Sequence, residues 1–126
     1  RTKKPYKEDF RDILRPRIAV WVKAKAYTHE QFTLEELASS LYTNKTYLST
    51  FIKDEYDMNF SGWVASLRID EAKRIMMKEP EKRLQEVAFE CGFSSLAYFS
   101  SVFSKSEGIS PSAWQREFSR KTDGEQ

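Results

Sequence analysis

Two segments of this chain repeat one another, and that repeat limits the possible fold more than any other feature. "LEELASSL" from Leu34 is echoed by "LQEVAFEC" from Leu84, an offset of 50. "LSTFIKDEYDMNFSGW" from Leu48 is echoed by "FSSVFSKSEGISPSAW" from Phe99, an offset of 51, so Trp63 answers Trp114 and Asp57 answers Gly108. The extra residue falls in a turn, where insertions are tolerated best. Two copies are too few to stack into a solenoid, which needs about three or more units to bury a continuous core. The repeat therefore predicts two small subdomains of one design.

Local signals make those subdomains helical. Gly and Pro number only four each, in a chain that is 40% hydrophobic and 32% charged, which favours helices over a β-sandwich. Residues 1–10 read as a polar lead-in. Leu14, Ile18, Trp21 and Val22 recur at helical spacing from Ile13 to Tyr27, with Pro16 either opening that helix or kinking it. After a connection over 28–32, Thr33 and Glu36 form a capping box for a helix from Leu34 to Leu41. Asn44 caps the next, Lys45 to about Glu55, which buries Leu48, Phe51 and Ile52. Asn59 caps a long helix from Phe60 to about Lys78, ended by Pro80. Ser110 and Pro111 start a last helix, Ser112 to about Ser119. The expected architecture is all-α: two helix-turn-helix subdomains joined by a long linker helix, about seven helices, plus an N-terminal lead-in helix. The boundaries are 1–32 for the lead-in, 33–59 for the first unit, 60–79 for the linker helix, 80–119 for the second unit and 120–126 for a polar tail.

Several functions find no support in the residues. One cysteine, Cys91, and one histidine, His29, give neither a disulfide nor a zinc ligand set. Cys91 reads as a small buried apolar side chain. No apolar run approaches the roughly 20 residues that span a bilayer. There is no nucleophile–base set and no glycine-rich phosphate loop, so no enzyme, cofactor or metal is expected. Glu35, Glu36, Glu79 and Glu81 read as helix-start and solvent-facing carboxylates. Because the chain begins with Arg, it reads as a fragment or processed form that follows an upstream sensor, dimerisation or membrane-anchored region.

Each copy consists of a short helix, a tight turn and a second helix. Gly92 suits the left-handed position of the second turn. Ala38 and Ala88 occupy matching places where a small residue lets the second helix cross closely. In a helix-turn-helix the second helix can enter a DNA major groove. On the later copy Ala97, Phe99, Val102 and Phe103 are expected to pack inward. Ser95, Leu96, Ser100, Ser101, Ser104 and Lys105 then face out, with short hydroxyls able to approach base edges and Leu96 able to meet a thymine methyl. On the earlier copy Lys45, Thr46, Ser49, Thr50 and Lys53 face out. Its lysines suit phosphate and its hydroxyls suit base edges. Trp63 and Trp114 read as core. A linker helix of about 19 residues is roughly 28 Å long, and successive major-groove faces lie about 34 Å apart, so both readers could meet one side of a duplex. The competing reading is a protein-interaction module, in which the second unit contacts a partner and only the first reads DNA.

Residues from about Thr33 to Arg116 resemble the DNA-binding domain of AraC/XylS-type transcription regulators. The resemblance is carried by "LEELASSLYTNKTYLSTFIK", "NFSGWVASLRIDEAKRIM" and, most specifically, "VAFECGFSSLAYFSSVFSKSEGISPSAW". It implies seven helices, two helix-turn-helix units and sequence-specific binding to promoter or operator DNA in the bacterial cytoplasm. It also implies activation of transcription, with RNA polymerase as a further partner, and membrane tethering only if an upstream region supplies an anchor. Lys53 matches the family's usual lysine and Arg68 its linker arginine. The family commonly has a basic residue at Thr50 and at Ser101, Lys at Ser104, Gly at Tyr42 and Asp57, and Arg at Gln115. Losing those cations should weaken phosphate and guanine contacts, most of all in the second unit.

Overall fold

The computed structural model describes residues 9–29 and 31–119; the expected polar tail and most of the polar lead-in lie outside them. Among the described residues there are seven α-helices and no strand. They are α1 (Phe10–Lys23), α2 (Leu34–Ser40), α3 (Lys45–Tyr56), α4 (Phe60–Lys78), α5 (Leu84–Glu90), α6 (Leu96–Glu107) and α7 (Pro111–Trp114). A 3-10 turn spans Ala26–Thr28, and α7 runs on into a π-helical turn, Gln115–Ser119. The described parts of Arg1–Ala26 and Phe32–Trp63 form one compact unit, and those of Tyr27–Gln31 and Val64–Gln126 form the other.

Pro16 neither starts the lead-in helix nor limits it. Asp9 caps α1, its side chain accepting from the Arg11 N–H, and Pro16 lies in mid-helix. The proline deprives the Asp12 carbonyl of its usual donor. Both residues are exposed, so water can take that carbonyl. The helix also stops earlier than its apolar spacing predicts: it ends at Lys23, and Lys25 turns the chain in the left-handed region at φ 58°. Tyr27, expected on this helix, is instead buried in the second unit.

In the first unit α1 lies along α3. Leu14 and Ile18 are buried, and Phe10 stacks on Tyr47 with ring centroids 4.5 Å apart. Arg11 donates to Asp54 at 2.9 Å and Arg15 to Glu55 at 2.6 Å. The start of α4 closes this unit, with Trp63 stacked between Trp21 and Tyr56, each 5.5 Å away.

The second unit is built on the rest of α4. Ile69, Ala72, Ile75 and Met76 pack with Val87, Ala88, Cys91, Phe93, Phe99, Phe103 and Trp114. Trp63 and Trp114 are both buried, as core residues should be. Glu71, the one buried charged residue among the described residues, is held by Arg74 at 2.7 and 3.0 Å.

Burial pushes the Cys91 thiol up to about 12. Unfolding would release a thiol that ionises near 9, so between those values the native state holds a proton that the unfolded state has lost. Stability contributed by this group is therefore complete below about pH 9 and falls as the pH rises toward 12. Denaturant titrations at pH 8 and pH 10.5 should show a loss that is smaller in Cys91→Ala. An equal loss in both proteins would show that Cys91 does not stay neutral in the fold.

Candidate nucleic-acid interface

The two turns are built alike. In the first, the Thr43 N–H donates to the Ala38 carbonyl at 2.9 Å and the Tyr42 N–H to Ser39 at 3.1 Å. In the second, the Phe93 N–H donates to Ala88 at 3.0 Å and the Gly92 N–H to Phe89 at 3.1 Å. This is the paired bonding of a helix end whose next residue is left-handed. Tyr42 takes φ 60° and Gly92 φ 100°. The extra residue of the second copy is Ser94, inserted between the turn and the cap, so Ser95 rather than Ser94 caps α6. Its hydroxyl oxygen accepts from the Tyr98 N–H at 3.0 Å, as the Asn44 side chain accepts from Tyr47 at 2.9 Å.

From these caps onward the second helices run in identical register. Each has 12 residues, and each ends on a left-handed residue, Asp57 at φ 57° and Gly108 at φ 83°. The next caps also match, with Asn59 accepting from Gly62 at 2.8 Å and Ser110 from Ala113 at 3.1 Å. On α3, Leu48, Phe51 and Ile52 are buried, Lys45, Thr46, Ser49 and Lys53 are exposed, and Thr50 is half-buried. On α6, Phe99 and Phe103 are buried and Val102 is half-buried. Ser95, Leu96, Ser101 and Lys105 are exposed, and Ser100 and Ser104 are half-buried. Ala97, expected to pack inward, is exposed: it precedes Phe99 by two positions, which on a helix places it on the opposite side.

Tyr47 and Tyr98 lie on the same outer faces, about half exposed, and the sequence reading passes over them. Their shared place, third in each second helix, was visible in the repeat. Charge divides the faces. Lys45 lies 3.6 Å from Glu35 and Lys53 3.0 Å from Asp57, both in exposed pairs of the weak surface kind that a phosphate can displace. Lys105 is the only cation on α6.

Behind the second turn sits Arg68. It donates to the Tyr27 carbonyl at 2.8 Å and the His29 carbonyl at 3.1 Å, with its guanidinium 5.9 Å from the Phe93 ring centre. Burial lowers its pKa from the ordinary arginine value. These bonds give the family-matched arginine a structural place. Among the described residues no group of His, Cys, Asp and Glu could hold a metal ion, and no helix is long and apolar enough to cross a membrane.

A family described as a helix-turn-helix domain matches residues 37–117. The chain is 33% identical over 90 residues to the uncharacterized HTH-type transcriptional regulator YobQ of Bacillus subtilis, a match covering 68% of this chain and 37% of that protein. It is 26% identical over 87 residues to the HTH-type transcriptional activator RhaR of Cronobacter sakazakii, covering 69% and 30%. Among solved structures it is similar to the C-terminal domain of AraT, a response regulator from Geobacillus stearothermophilus, with TM-score 0.73, 30% identity and coverage of 82% and 84%. The match thus spans about a third of the length of the two regulators. With well over half of its 126 residues inside the family match, the chain belongs to the AraC-type helix-turn-helix family.

Proposed function

We propose that this chain binds double-stranded DNA sequence-specifically and regulates transcription by activation, with α3 and α6 as the reading helices of neighbouring major grooves. The supporting observation is the shared register of the two second helices, which buries the same positions in both and turns the same positions outward. The relatives' names, HTH-type regulator and activator, point the same way. On α3, Lys45 and Lys53 neutralise phosphates while Thr46, Ser49 and Thr50 meet base edges. On α6, Ser95, Leu96, Ser100, Ser101 and Ser104 do the reading, and Lys105 supplies the cation. At 19 residues, α4 is about 28 Å long, close to the roughly 34 Å repeat of the groove. RNA polymerase is a further partner in this reading, and the site of action is the bacterial cytoplasm.

The near-neutral face of α6 favours one competing reading, in which the second unit contacts polymerase or another regulator while only α3 reads DNA. Salt separates the two. Each phosphate contact contributes about −0.9 to the slope of log affinity against log salt. Lys53→Ala should weaken binding to every duplex and flatten that slope by about one unit. An unchanged slope would remove Lys53 from the phosphate contacts. Thr50→Ala and Ser100→Ala should change the preference among sites by roughly 1–3 kcal/mol, measured by competition between duplexes. An equal loss on all sequences would make these residues positioning groups, and no effect of Ser100→Ala would favour the competing reading.

A further inference from the structure

The two reading helices begin with different chemistry. In the shared register Lys45 corresponds to Leu96, Thr46 to Ala97 and Tyr47 to Tyr98. The third position is thus tyrosine in both, and among these three the divergence lies in the first two. Leu96 is 38% exposed and Ala97 is also exposed, so neither is spent on the core. In a helix-turn-helix, the N-terminal residues of the second helix are those that reach base edges.

We infer that the half-site under α6 carries thymine at the one or two positions facing Leu96 and Ala97. This rests on the DNA-reading function proposed above. The side chains of leucine and alanine neither donate nor accept hydrogen bonds. Pressed against guanine, adenine or cytosine, they would cover major-groove donors and acceptors that lose water and gain nothing. Thymine alone among the four bases presents a methyl group there, which apolar side chains cover favourably. The nearby Ser100 and Ser101 hydroxyls remain free to serve the polar atoms of the same pairs. Under α3, by contrast, Lys45 and Thr46 offer a cation and a hydroxyl, which suit guanine acceptors or phosphate.

The test starts by selecting duplexes from a random pool with the full chain. Each thymine of the preferred site is then replaced by uracil, which removes the methyl and leaves every hydrogen-bonding group. Uracil in the half-site covered by α6 should weaken binding about fourfold for each contacted methyl, and uracil in the other half should change little. In a second arm, Leu96→Lys, at an exposed helix-start position, should shift selection from thymine to guanine at one position of that half-site and abolish the uracil effect. Sequence-specific binding that is indifferent to uracil in both halves would overturn this inference and leave the DNA-reading function standing. Failure to select any sequence would overturn both.

Discussion

Phe99→Ala should cost about 3–5 kcal/mol of folding stability, the range for truncating a fully buried aromatic residue. The Phe99 side chain is fully enclosed, its ring centre 5.2 Å from that of Phe93 and 5.6 Å from that of Phe103. Phe103 in turn meets Trp114 edge-on at 6.0 Å. Phe99 therefore joins the turn, the second helix and the start of α7 into one aromatic core. Its removal leaves a cavity that these rings cannot all close, because each is fixed by the next. Denaturant unfolding followed by tryptophan fluorescence would register the loss. An unchanged midpoint would mean that the inward face of α6 is not the one described.

The second large effect is expected at Gly92, where a single methyl should destabilise the second unit by about 3 kcal/mol. Two costs add. At φ 100° an L side chain is strained by roughly 1–2 kcal/mol. The added Cβ would also stand 2.8 Å from the Thr28 carbonyl oxygen, 3.0 Å from that of Tyr27 and 2.9 Å from Arg68 Nε. Two of these neighbours are backbone atoms that cannot swing aside, and such overpacking costs about 1–3 kcal/mol. Tyr42, at the matching position of the first turn, provides the control. It too is left-handed but 87% exposed, and its ring gives up only an exposed contact with the Arg17 guanidinium 5.9 Å away, so Tyr42→Gly relieves strain and should stabilise by about 0.5 kcal/mol. Melting curves of the two variants should move in opposite directions. A shared direction would show that the turns are not equivalent in backbone conformation.

What the sequence made legible was local or repeated. Thr33, Asn44, Asn59 and Ser110 cap their helices as read, because a cap needs only a side-chain oxygen placed two or three residues before the N–H it accepts from. The buried faces of α3 and α6 followed from apolar spacing. The cap of α6 was not legible, since Ser94 and Ser95 carry the same hydroxyl and only the backbone tells them apart. Ala97 misled because alanine has no strong preference for core or surface. The fate of Tyr27 was illegible for another reason: Arg68 holds that segment through the Tyr27 and His29 carbonyls, a group every residue carries, so no residue type marks the contact.

The pairs of α1 with α3 add a point about charge. Arg11 and Arg15 engage Asp54 and Glu55 at the acidic end of the reading helix. In the proposed complex this keeps two carboxylates from facing phosphate unaccompanied. It also joins α1 to α3 as part of the first unit rather than as a bare leader.

The proposal that both copies read one duplex is tested most directly by hydroxyl-radical footprinting of the full chain on its selected site. Two protected patches about one helical turn apart on the same face of the DNA are expected, roughly 10 base pairs centre to centre. A single patch confined to one groove would contradict it and leave α6 free for another partner.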